Sequence, residues 1–591
     1  MLYHIKNLGT GLKLSEYIIR ARNLGNRTSD KKIKVAILSS FTLNGLTEVL
    51  TVKCDESKVN CSTYFSSYNQ YNQDILNTES ELYKFAPDVT FLILDTRSIL
   101  GDLFYSPYSV SASYRKDFVE KAAHELLNLA IQFIKKSNSK LIISNFSIPI
   151  FSPYFICESK VDYGLKEMIL DINKKLTEAV VNESSAYIFD FNEFVTKYGE
   201  INVFDYRQFL FGDIKVALDY IPYLADELMG YIKPILGINR KCIVVDLDNT
   251  LWGGIVGEDG FEGIELGPKA PGNAFVEFQH RLQSLNQRGI ILAVNSKNNP
   301  DDALKVIREH PNMVLKEENF ACLKINWNDK ASNMREIAEE LNIGLESIVY
   351  FDDEPANREF MRNALPDVLT VDLPKDPSLL APILMNMNDF NVLKITEEDT
   401  KRGEMYLQQN KRKKLAESAI TLEDFLEKLD MKIKIKKADK FTIPRISQLT
   451  LKTNQFNLTT NRYQEEEIRK FSQDSNMLVG CSQVEDKFGD NGITSAFIIK
   501  KNDSEWTVDT FLLSCRIMGR RIEDVIMGYI LNEARKQKIA KVIAQYIPTK
   551  KNKPCEDFLP SLGFKKENDH WVYYTSNSFN VPKHIKLEVE K

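Results

Sequence analysis

Several features that would narrow the function are missing from this sequence of 591 residues. No apolar run reaches the roughly 18 residues that a membrane helix needs, and the first residues lack the basic and apolar regions of a secretory signal peptide. The eight cysteines include no C-x-x-C pair, so neither a disulfide framework nor a zinc site is expected. We therefore expect a cytoplasmic protein with no membrane association.

A strong charge of either sign is also missing. The sequence has 77 Lys and Arg against 82 Asp and Glu, a net charge of −5. Because nucleic-acid-binding proteins usually carry a basic excess, nucleic acid is not an expected partner. Repeats and low-complexity tracts are absent, and 43% hydrophobic and 27% charged residues are typical of a folded globular protein. The length predicts about three to four domains.

The chain divides into four stretches by pattern. In the first, short apolar runs such as Val89–Leu94 alternate with helical segments such as Phe118–Lys136, which predicts an α/β domain around a parallel sheet. The second repeats this pattern, the third is highly charged without a strand signal, and the fourth combines strand-like runs with one amphipathic helix near Ile522. The predicted boundaries are 1–237, 238–395, 396–430 (a helical connector) and 431–591.

One helix of the second stretch has a clear period. Its apolar residues are spaced i, i+3, i+4 and i+7, and they are Met334, Ile337, Ala338 and Leu341. Gly344 follows at a distance where a glycine often ends a helix, and it is predicted to be the helix C-cap.

Polar side chains follow the apolar strands of this second stretch. Asp246 and Asp248 come directly after Ile243–Val245, so both lie at the carboxyl end of a strand, where open α/β sheets bind ligands. Residues two apart in an extended chain point to the same side. Further polar elements follow at strand ends and at a helix start, in the order Ser296, Lys330, Asp352 and Asp353.

These residue types together favour phosphoryl transfer. One carboxylate can attack phosphorus to form an aspartyl-phosphate, and a second can protonate the leaving oxygen. Lys330 and Ser296 can hold the phosphoryl oxygens, while Mg²⁺, which prefers oxygen ligands, offsets the anionic repulsion. A lone D-x-D would more simply be a turn or helix cap; the four elements in order argue against that interpretation.

In this order the sequence resembles the haloacid dehalogenase (HAD) superfamily, with its Rossmann-like core. The resemblance implies that Asp246 is the nucleophile and Asp248 the general acid/base. It implies phosphate-binding roles for Thr250, Ser296 and Lys330. It implies Mg²⁺ ligands at Asp246, Asp248, Asp352 and Asp353. Ser296 follows Asp246 by only 50 residues, which leaves no room for a large lid domain and favours a bulky or protein-borne substrate.

A narrower resemblance covers essentially the whole chain. The sequence resembles the FkbH-like family of polyketide-type pathways, and the resemblance is carried by five segments: Trp252–Gly260, Lys324–Trp327, Lys452–Thr460, Leu513–Arg520 and Tyr546–Asn552. It implies an SGNH-hydrolase-like N-terminal α/β domain and a C-terminal GNAT-like α+β domain. It also implies a function: a glyceryl unit is taken from 1,3-bisphosphoglycerate or a similar phosphorylated acyl donor, loses its phosphate, and is delivered to the phosphopantetheine arm of an acyl carrier protein.

The GNAT-like stretch offers weaker sites. Arg516, Gly519 and Arg521 stand where GNAT proteins bind pyrophosphate, so a phosphopantetheine-binding role is implied, with a ligand-free remnant as the alternative. Arg521 replaces a small residue, which argues against ordinary acetyl-CoA use. Cys515 could relay glyceryl as a thioester or simply be a small buried hydrophobe. Cys242 is a rival that belongs more naturally to the core.

The N-terminal stretch lacks one part of a hydrolase. Ser39 or Ser40 could be a nucleophile, but the histidine expected near the domain's end is missing, so a docking or structural role is favoured. For the whole chain two alternatives remain. One is a plain HAD phosphatase of a small phosphorylated metabolite, and the other is a carrier-binding scaffold with a vestigial site.

Overall fold

The computed structural model describes residues 12–24, 31–395, 408, 412, 415, 418–577, 579, 581–582 and 584–590, with the side chain of Cys515 excepted. The chain forms two compact units, Met1–Leu236 and Gly237–Lys591. The boundary falls one residue before the predicted end of the first domain, and the second unit holds everything predicted beyond it. Within the described residues, no helix is both long and apolar enough to cross a membrane.

The first unit contains a five-stranded parallel sheet with the order β2-β1-β3-β4-β5. Its strands are β1 (Lys31–Ser39), β2 (Val59–Phe65), β3 (Val89–Ile93), β4 (Lys140–Ser144) and β5 (Ala186–Phe189). Its helices are Leu14–Asn23, Leu46–Glu56, Tyr71–Leu76, Glu81–Phe85, Thr96–Leu100, Ala112–Lys136, Leu165–Val180, Phe191–Tyr198, Glu200–Val203, Tyr206–Gly212 and Ile221–Ile235. The predicted α/β architecture is confirmed.

The second unit begins with another five-stranded parallel sheet, with the order β10-β9-β6-β7-β8. Its strands are β6 (Cys242–Val245), β7 (Ile291–Ser296), β8 (Phe320–Ile325), β9 (Ile348–Phe351) and β10 (Leu369–Thr370). Its helices are Val256–Asp259, Gly272–Gln287, Pro300–Glu309, Lys330–Glu340, Pro355–Ala364 and Leu380–Met385. This is the predicted Rossmann-like core.

The central strand β6 is apolar because both of its faces are buried. Ile243 and Val245 belong to one hydrophobic cluster, with the helix Gly272–Gln287. Cys242 and Val244 belong to another, on the opposite face. When both faces of a strand are buried, its sequence is a continuous apolar run rather than an alternating one. Burial raises the pKa of the Cys242 thiol well above its ordinary range, in keeping with a core position.

The helix Lys330–Glu340 does not end as predicted. Gly344 has φ −72° and is not the C-cap; it precedes a short 3₁₀ turn instead. The left-handed residue that turns the chain out of the helix is Asn342, with φ 50°. Asparagine tolerates this conformation better than most side chains, so it can take the place often held by glycine.

The last part of the second unit is an α+β arrangement around a mixed sheet, with the order β17-β18-β16-β15-β14-β13-β11-β19 and β12 paired to β15. The strands are β11 (Met431–Lys437), β12 (Phe456–Asn457), β13 (Met477–Asp486), β14 (Gly489–Lys501), β15 (Glu505–Leu513), β16 (Lys541–Ala544), β17 (Lys565–Glu567), β18 (His570–Tyr574) and β19 (Ile585–Val589). The helices are Leu422–Lys428, Ile443–Lys452, Glu465–Gln473, Ile522–Lys536 and Phe558–Ser561.

This arrangement fits the predicted GNAT-like fold. Antiparallel strands β13 to β15 are followed by the amphipathic helix Ile522–Lys536 and then by β16, which pairs with β15 in parallel. The helix contributes Val525, Ile526 and other apolar residues to the core of this part. Most of the predicted connector 396–430 lies outside the described residues; its described end contains the helix Leu422–Lys428.

Candidate active site

The predicted catalytic residues meet at the carboxyl edge of the second unit's parallel sheet. Asp246 follows β6, Ser296 ends β7, and Asp352 follows β9. Since β6 lies between β9 and β7, the topology brings these three residues together. Lys330 begins the helix that follows β8. Strand order alone therefore places side chains that are up to 106 residues apart in sequence at one point.

Lys330 lies between two of the carboxylates. Its Nζ is 2.5 Å from Asp246 Oδ2 and 2.5 Å from Asp352 Oδ2. The side chain of Lys330 is 2% exposed and that of Asp352 is fully buried. Carboxylate oxygens of Asp246, Asp352 and Asp353 all lie within 4.8 Å of one another. Three acids around one ammonium leave a negative excess in a buried pocket.

The position of Lys330 is fixed by the start of its helix. Asp329 is the N-cap and accepts a hydrogen bond from the Ser332 amide at 2.8 Å. The side-chain amide of Asn295 donates to the Lys330 carbonyl at 2.8 Å, and Asn333 donates to Asn295 Oδ1 at 3.2 Å. The lysine is thus held from both its own helix and the neighbouring strand β7.

The charge balance of the cluster shifts the pKa values of its members. Burial, opposed by Lys330 and reinforced by Asp352, raises the pKa of Asp246. Burial and then the charges of Asp246 and Asp352 raise the pKa of Asp353 to about 6. Burial alone would lower the pKa of Lys330, but the two neighbouring carboxylates raise it above its ordinary value. Burial is the largest cause for both acids, and the neighbouring negative charge that adds to it would be relieved by a bound cation.

Asp248, the predicted general acid/base, is held by three donors. Its Oδ1 accepts hydrogen bonds from the Trp252 indole at 2.8 Å and from the Val256 amide at 3.1 Å. Its Oδ2 accepts one from the Asn298 side chain at 2.7 Å. Burial raises the pKa of Asp248, which favours a carboxyl able to carry a proton.

Two hydroxyls complete the set. Ser296 is buried, and its hydroxyl opposes the rise in the pKa of the Asp246 carboxyl. Thr250 Oγ1 is buried and has no hydrogen-bond partner in the described structure. An unpartnered buried hydroxyl is costly, but Thr250 is fully buried, so its predicted phosphate-binding role stays a prediction.

Three supporting residues were not predicted. Asn298 lies two positions after Ser296, and Tyr350 donates a hydrogen bond from β9 to Asp352. Arg358 donates from one nitrogen to the carbonyls of Asp352 (2.8 Å) and Asp353 (2.6 Å). Asn298 could have been found by its spacing from Ser296. The other two depend on how the chain folds back and left no sequence signal.

The weaker predicted residues of the GNAT-like part lie between β15 and the helix Ile522–Lys536. Cys515 begins a 3₁₀ turn that includes Arg516, but its side chain lies outside the described part of the structure. Gly519 has φ 75°. Arg521 has φ 63°, and its Nε donates to Asp524 Oδ2 at 2.8 Å. Their predicted roles stay predictions.

The chain's own backbone fills the space beside β15. The Leu458 amide donates to the Phe511 carbonyl at 3.1 Å, and its carbonyl accepts from the Ile547 amide at 2.8 Å. The segment after β12 therefore lies between β15 and the residues that follow β16. Nearby Cys555 is buried, and its burial raises the pKa of its thiol to about 12, which is typical of a structural cysteine.

At the corresponding edge of the first unit's sheet, the polar side chains bond to other groups of the same unit. Ser40 Oγ accepts from the Asp95 amide at 2.8 Å, and Ser144 Oγ accepts from the Leu94 amide at 3.0 Å. The Asp95 carboxylate is paired with the buried Lys215 ammonium, which burial gives a lowered pKa. The Ser40 and Ser144 hydroxyls hold backbone amides in place, which fits a docking or structural role for this unit.

Two matches among known proteins bear on the family of this chain. The family FkbH, N-terminal domain, matches residues 34–233. The N-terminal part of the protein BF1531 from Bacteroides fragilis, described as containing a phosphatase domain complexed with Mg, is 30% identical; the match covers 65% of this chain and 100% of that one, with a TM-score of 0.59. No curated protein matches the chain.

Two acetyltransferases match a smaller part of the chain. The spermidine N-acetyltransferase from Vibrio cholerae is 11% identical over 24% of this chain and 96% of that one, with a TM-score of 0.20. A GNAT-family acetyltransferase from Staphylococcus aureus is 10% identical over 24% and 99%, with a TM-score of 0.19. At these sequence identities and TM-scores, the matches do not assign an activity to this chain.

The fold and the carboxylate cluster define a HAD-type phosphatase domain. Together with the matched N-terminal domain and the Bacteroides fragilis protein, they show that the chain belongs to the FkbH-like family.

Proposed function

We propose that this protein is a Mg²⁺-dependent glyceryl transferase and phosphatase. It takes a glyceryl unit from 1,3-bisphosphoglycerate or a similar phosphorylated acyl donor, passes it to the phosphopantetheine thiol of an acyl carrier protein, and removes the remaining phosphate. The observation that carries the phosphatase half is the cluster of Asp246, Asp352 and Asp353, two of which bind Lys330. Membership of the FkbH-like family supports the glyceryl half.

Phosphate removal uses two carboxylates in turn. Asp246 attacks the phosphorus, a new P–O bond forms, and the bond to the glyceryl oxygen breaks. That oxygen takes a proton from Asp248, whose raised pKa favours the protonated state before the step. Asp248 then removes a proton from water, the water oxygen attacks the phosphorus of the aspartyl-phosphate, and inorganic phosphate leaves with Asp246 restored.

The residues present fit a magnesium ion. Asp246, Asp352 and Asp353 supply only oxygen, which Mg²⁺ prefers and zinc does not require. Three carboxylates against one ammonium leave room for more positive charge. When bound, Mg²⁺ supplies positive charge that stabilises the phosphoryl group during transfer. The Bacteroides fragilis protein, complexed with Mg, supports the choice of ion.

The phosphoryl oxygens are held by the chain's own donors. Lys330 already lies against Asp246, and the buried Ser296 ends the neighbouring strand β7. Thr250 Oγ1 has no partner to give up. Donors fixed before the substrate arrives stabilise developing charge without reorganisation.

Thioester formation precedes this step. The carrier thiolate attacks the acyl carbon of the acyl phosphate, a C–S bond forms, and the C–O bond to phosphate breaks with release of inorganic phosphate. Cys515 could take the acyl group first and pass it on by the same exchange. Arg516, Gly519 and Arg521, at the start of the helix Ile522–Lys536, could hold the phosphate of the arm.

Intact-protein mass spectrometry of a holo carrier protein tests the proposal. The enzyme, Mg²⁺ and 1,3-bisphosphoglycerate generated in situ should add the mass of one glyceryl unit to the carrier. Because Asp246→Asn removes the nucleophile, this variant should leave the carrier at the mass of a phosphoglyceryl unit instead.

The controls separate the alternatives. Loss of an enzyme-bound adduct in Cys515→Ala would assign the relay to that residue. An unmodified carrier together with Mg²⁺-dependent phosphate release from small esters would contradict the proposal and leave a plain phosphatase of a small metabolite. Undiminished phosphate release by Asp246→Asn would remove the site assignment itself.

A further inference from the structure

The catalytic edge has no lid of its own chain between the first two motifs. From Asp246 to Ser296 every residue is described, and before β7 this stretch forms turns, isolated β-bridges such as that between Gly253 and Glu265, the four-residue helix Val256–Asp259 and the core helix Gly272–Gln287. The part of a substrate that does not react must therefore meet the loops that follow the strands. Phosphoryl transfer gains from the exclusion of water, so a bound substrate that helps to cover this edge would favour the reaction.

One loop at this edge presents a large apolar side chain to solvent. Trp327 is 74% exposed, whereas Trp252 and Trp506 are buried. It lies three residues before Lys330, in the loop between β8 and that lysine's helix. The loop begins beside the catalytic strand β7, since the Asn326 amide donates to the Ser296 carbonyl at 3.1 Å.

The exposure of Trp327 is not a result of a loose loop. Asn326 Oδ1 accepts from the Asn333 side chain at 3.0 Å and from the Asn328 amide at 3.0 Å. Asn333 belongs to the helix that starts with Lys330. The residues on both sides of Trp327 are thus tied to the element that positions the catalytic lysine, and the indole is presented from a fixed backbone.

We infer that Trp327 is a specificity-determining residue that packs against the phosphopantetheine arm of a carrier-borne substrate. This inference rests on the proposed function. The arm is a chain of methylene and amide groups, and an indole offers such a chain a broad apolar face with little conformational entropy to lose. In packing there, the arm would cover the open edge while the phosphorylated end reaches Asp246.

The test compares two substrates of the same site. One is a 3-phosphoglyceryl thioester on the holo carrier, and the other is p-nitrophenyl phosphate, which has no arm. Tryptophan is among the residues whose truncation most weakens binding, so Trp327→Ala should lower kcat/KM for the carrier substrate, relative to that for p-nitrophenyl phosphate, at least tenfold. The loss should fall on KM for the carrier substrate, and Trp327→Phe should recover most of it.

A matched control is Phe441→Ala. Phe441 is also strongly exposed in the second unit, but it lies before the helix Ile443–Lys452 and follows no strand of the catalytic sheet. This variant should leave the ratio unchanged. As a second readout, the indole emission of Asp246→Asn enzyme should shift to shorter wavelength when the phosphorylated carrier is added, and it should shift less when Trp327→Phe is also present.

The outcomes are distinguishable. An unchanged ratio in Trp327→Ala, with the wild type processing the carrier substrate, would overturn this inference and leave the proposed function standing. Wild-type enzyme that hydrolyses p-nitrophenyl phosphate but not the carrier thioester would overturn both. Equal loss on both substrates would show that Trp327 supports the catalytic site rather than recognising the arm.

Discussion

Both units contain a five-stranded parallel sheet with polar side chains beyond the carboxyl ends of its strands. In the first unit, Ser40 and Ser144 bond to backbone amides, and Asp95 is neutralised by Lys215. In the second, three carboxylates lie within 4.8 Å of one another, Lys330 pairs with two of them, and a buried threonine hydroxyl has no partner in the described structure. The same kind of sheet can thus carry a satisfied edge, whose polar side chains all have partners in the fold, or a reactive edge, whose polar side chains lack some of them.

The largest expected effect tests the lysine of the reactive edge. Lys330→Met would leave Asp246 and Asp352 without their shared cation, so phosphate release should fall about 10³-fold. In the absence of metal, the free energy of unfolding should fall by about 3–5 kcal/mol, because the buried carboxylates are left without their cation. A coupled phosphate assay and thermal unfolding in chelator measure the two effects.

The control for this prediction is Lys324→Met, which removes a half-buried surface ion pair. Activity retained by Lys330→Met would contradict the role assigned to that lysine.

The next effect tests the satisfied edge. Lys215→Met should destabilise the protein by about 3–5 kcal/mol because it leaves Asp95 buried with only Arg97 as a cationic partner. Adding Asp95→Asn should recover a large part of that loss, since the uncompensated charge is then gone. Urea unfolding of the single and double variants checks this. A double variant as unstable as Lys215→Met alone would show that the cost is packing rather than charge.

A smaller effect separates structure from catalysis at Ser40. Ser40→Ala should cost about 1 kcal/mol, because the Asp95 amide loses its acceptor in a buried position. Phosphate release and glyceryl transfer should not change. Ser39→Ala, which removes a similar bond to the Phe41 amide, is the matched variant. Loss of transfer with unchanged stability would instead give this hydroxyl a chemical role.

The smallest effect is a pH dependence of the metal-free protein. Asp353 has a pKa of about 6 when folded, above its value in an unfolded chain, so the folded state binds more protons in that interval. The contribution of Asp353 to stability should therefore fall, by about 1 kcal/mol after allowance for partial exposure, as the pH rises from about 4 to about 6. Because other carboxyls with lowered pKa values act in the opposite direction, the effect is measured as the difference in unfolding free energy between wild type and Asp353→Asn in chelator, and Mg²⁺ should flatten that difference. A difference that does not change with pH over this interval would contradict the raised pKa of Asp353.

The sequence predicts the central strands because both of their faces are buried, which produces continuous apolar runs. It does not reveal β2 or β8, and both are edge strands of their sheets. β2 is mostly half-buried and polar, and Lys324 interrupts β8. An edge strand has one neighbour and less cover, so its residues are under weaker apolar constraint.

The candidate site shows the same division. Asp246, Asp248, Ser296, Lys330 and the acidic pair could be predicted because each follows a strand or begins a helix at a fixed spacing. Tyr350 and Arg358 could not, because their contacts with Asp352 arise from pairing and chain reversal. Gly344 was wrongly predicted to end a helix because local composition does not distinguish it from Asn342.

The alternation along β6 bears on how this chain can change its length over evolutionary time. Since both faces of the strand are apolar, inserting or deleting one residue would still present apolar side chains to both hydrophobic clusters, although the clusters would have to repack. The same shift would turn the Asp246 carboxylate away from Lys330. At this strand the chemistry of the site therefore adds a constraint against insertions and deletions that the apolar pattern alone does not impose.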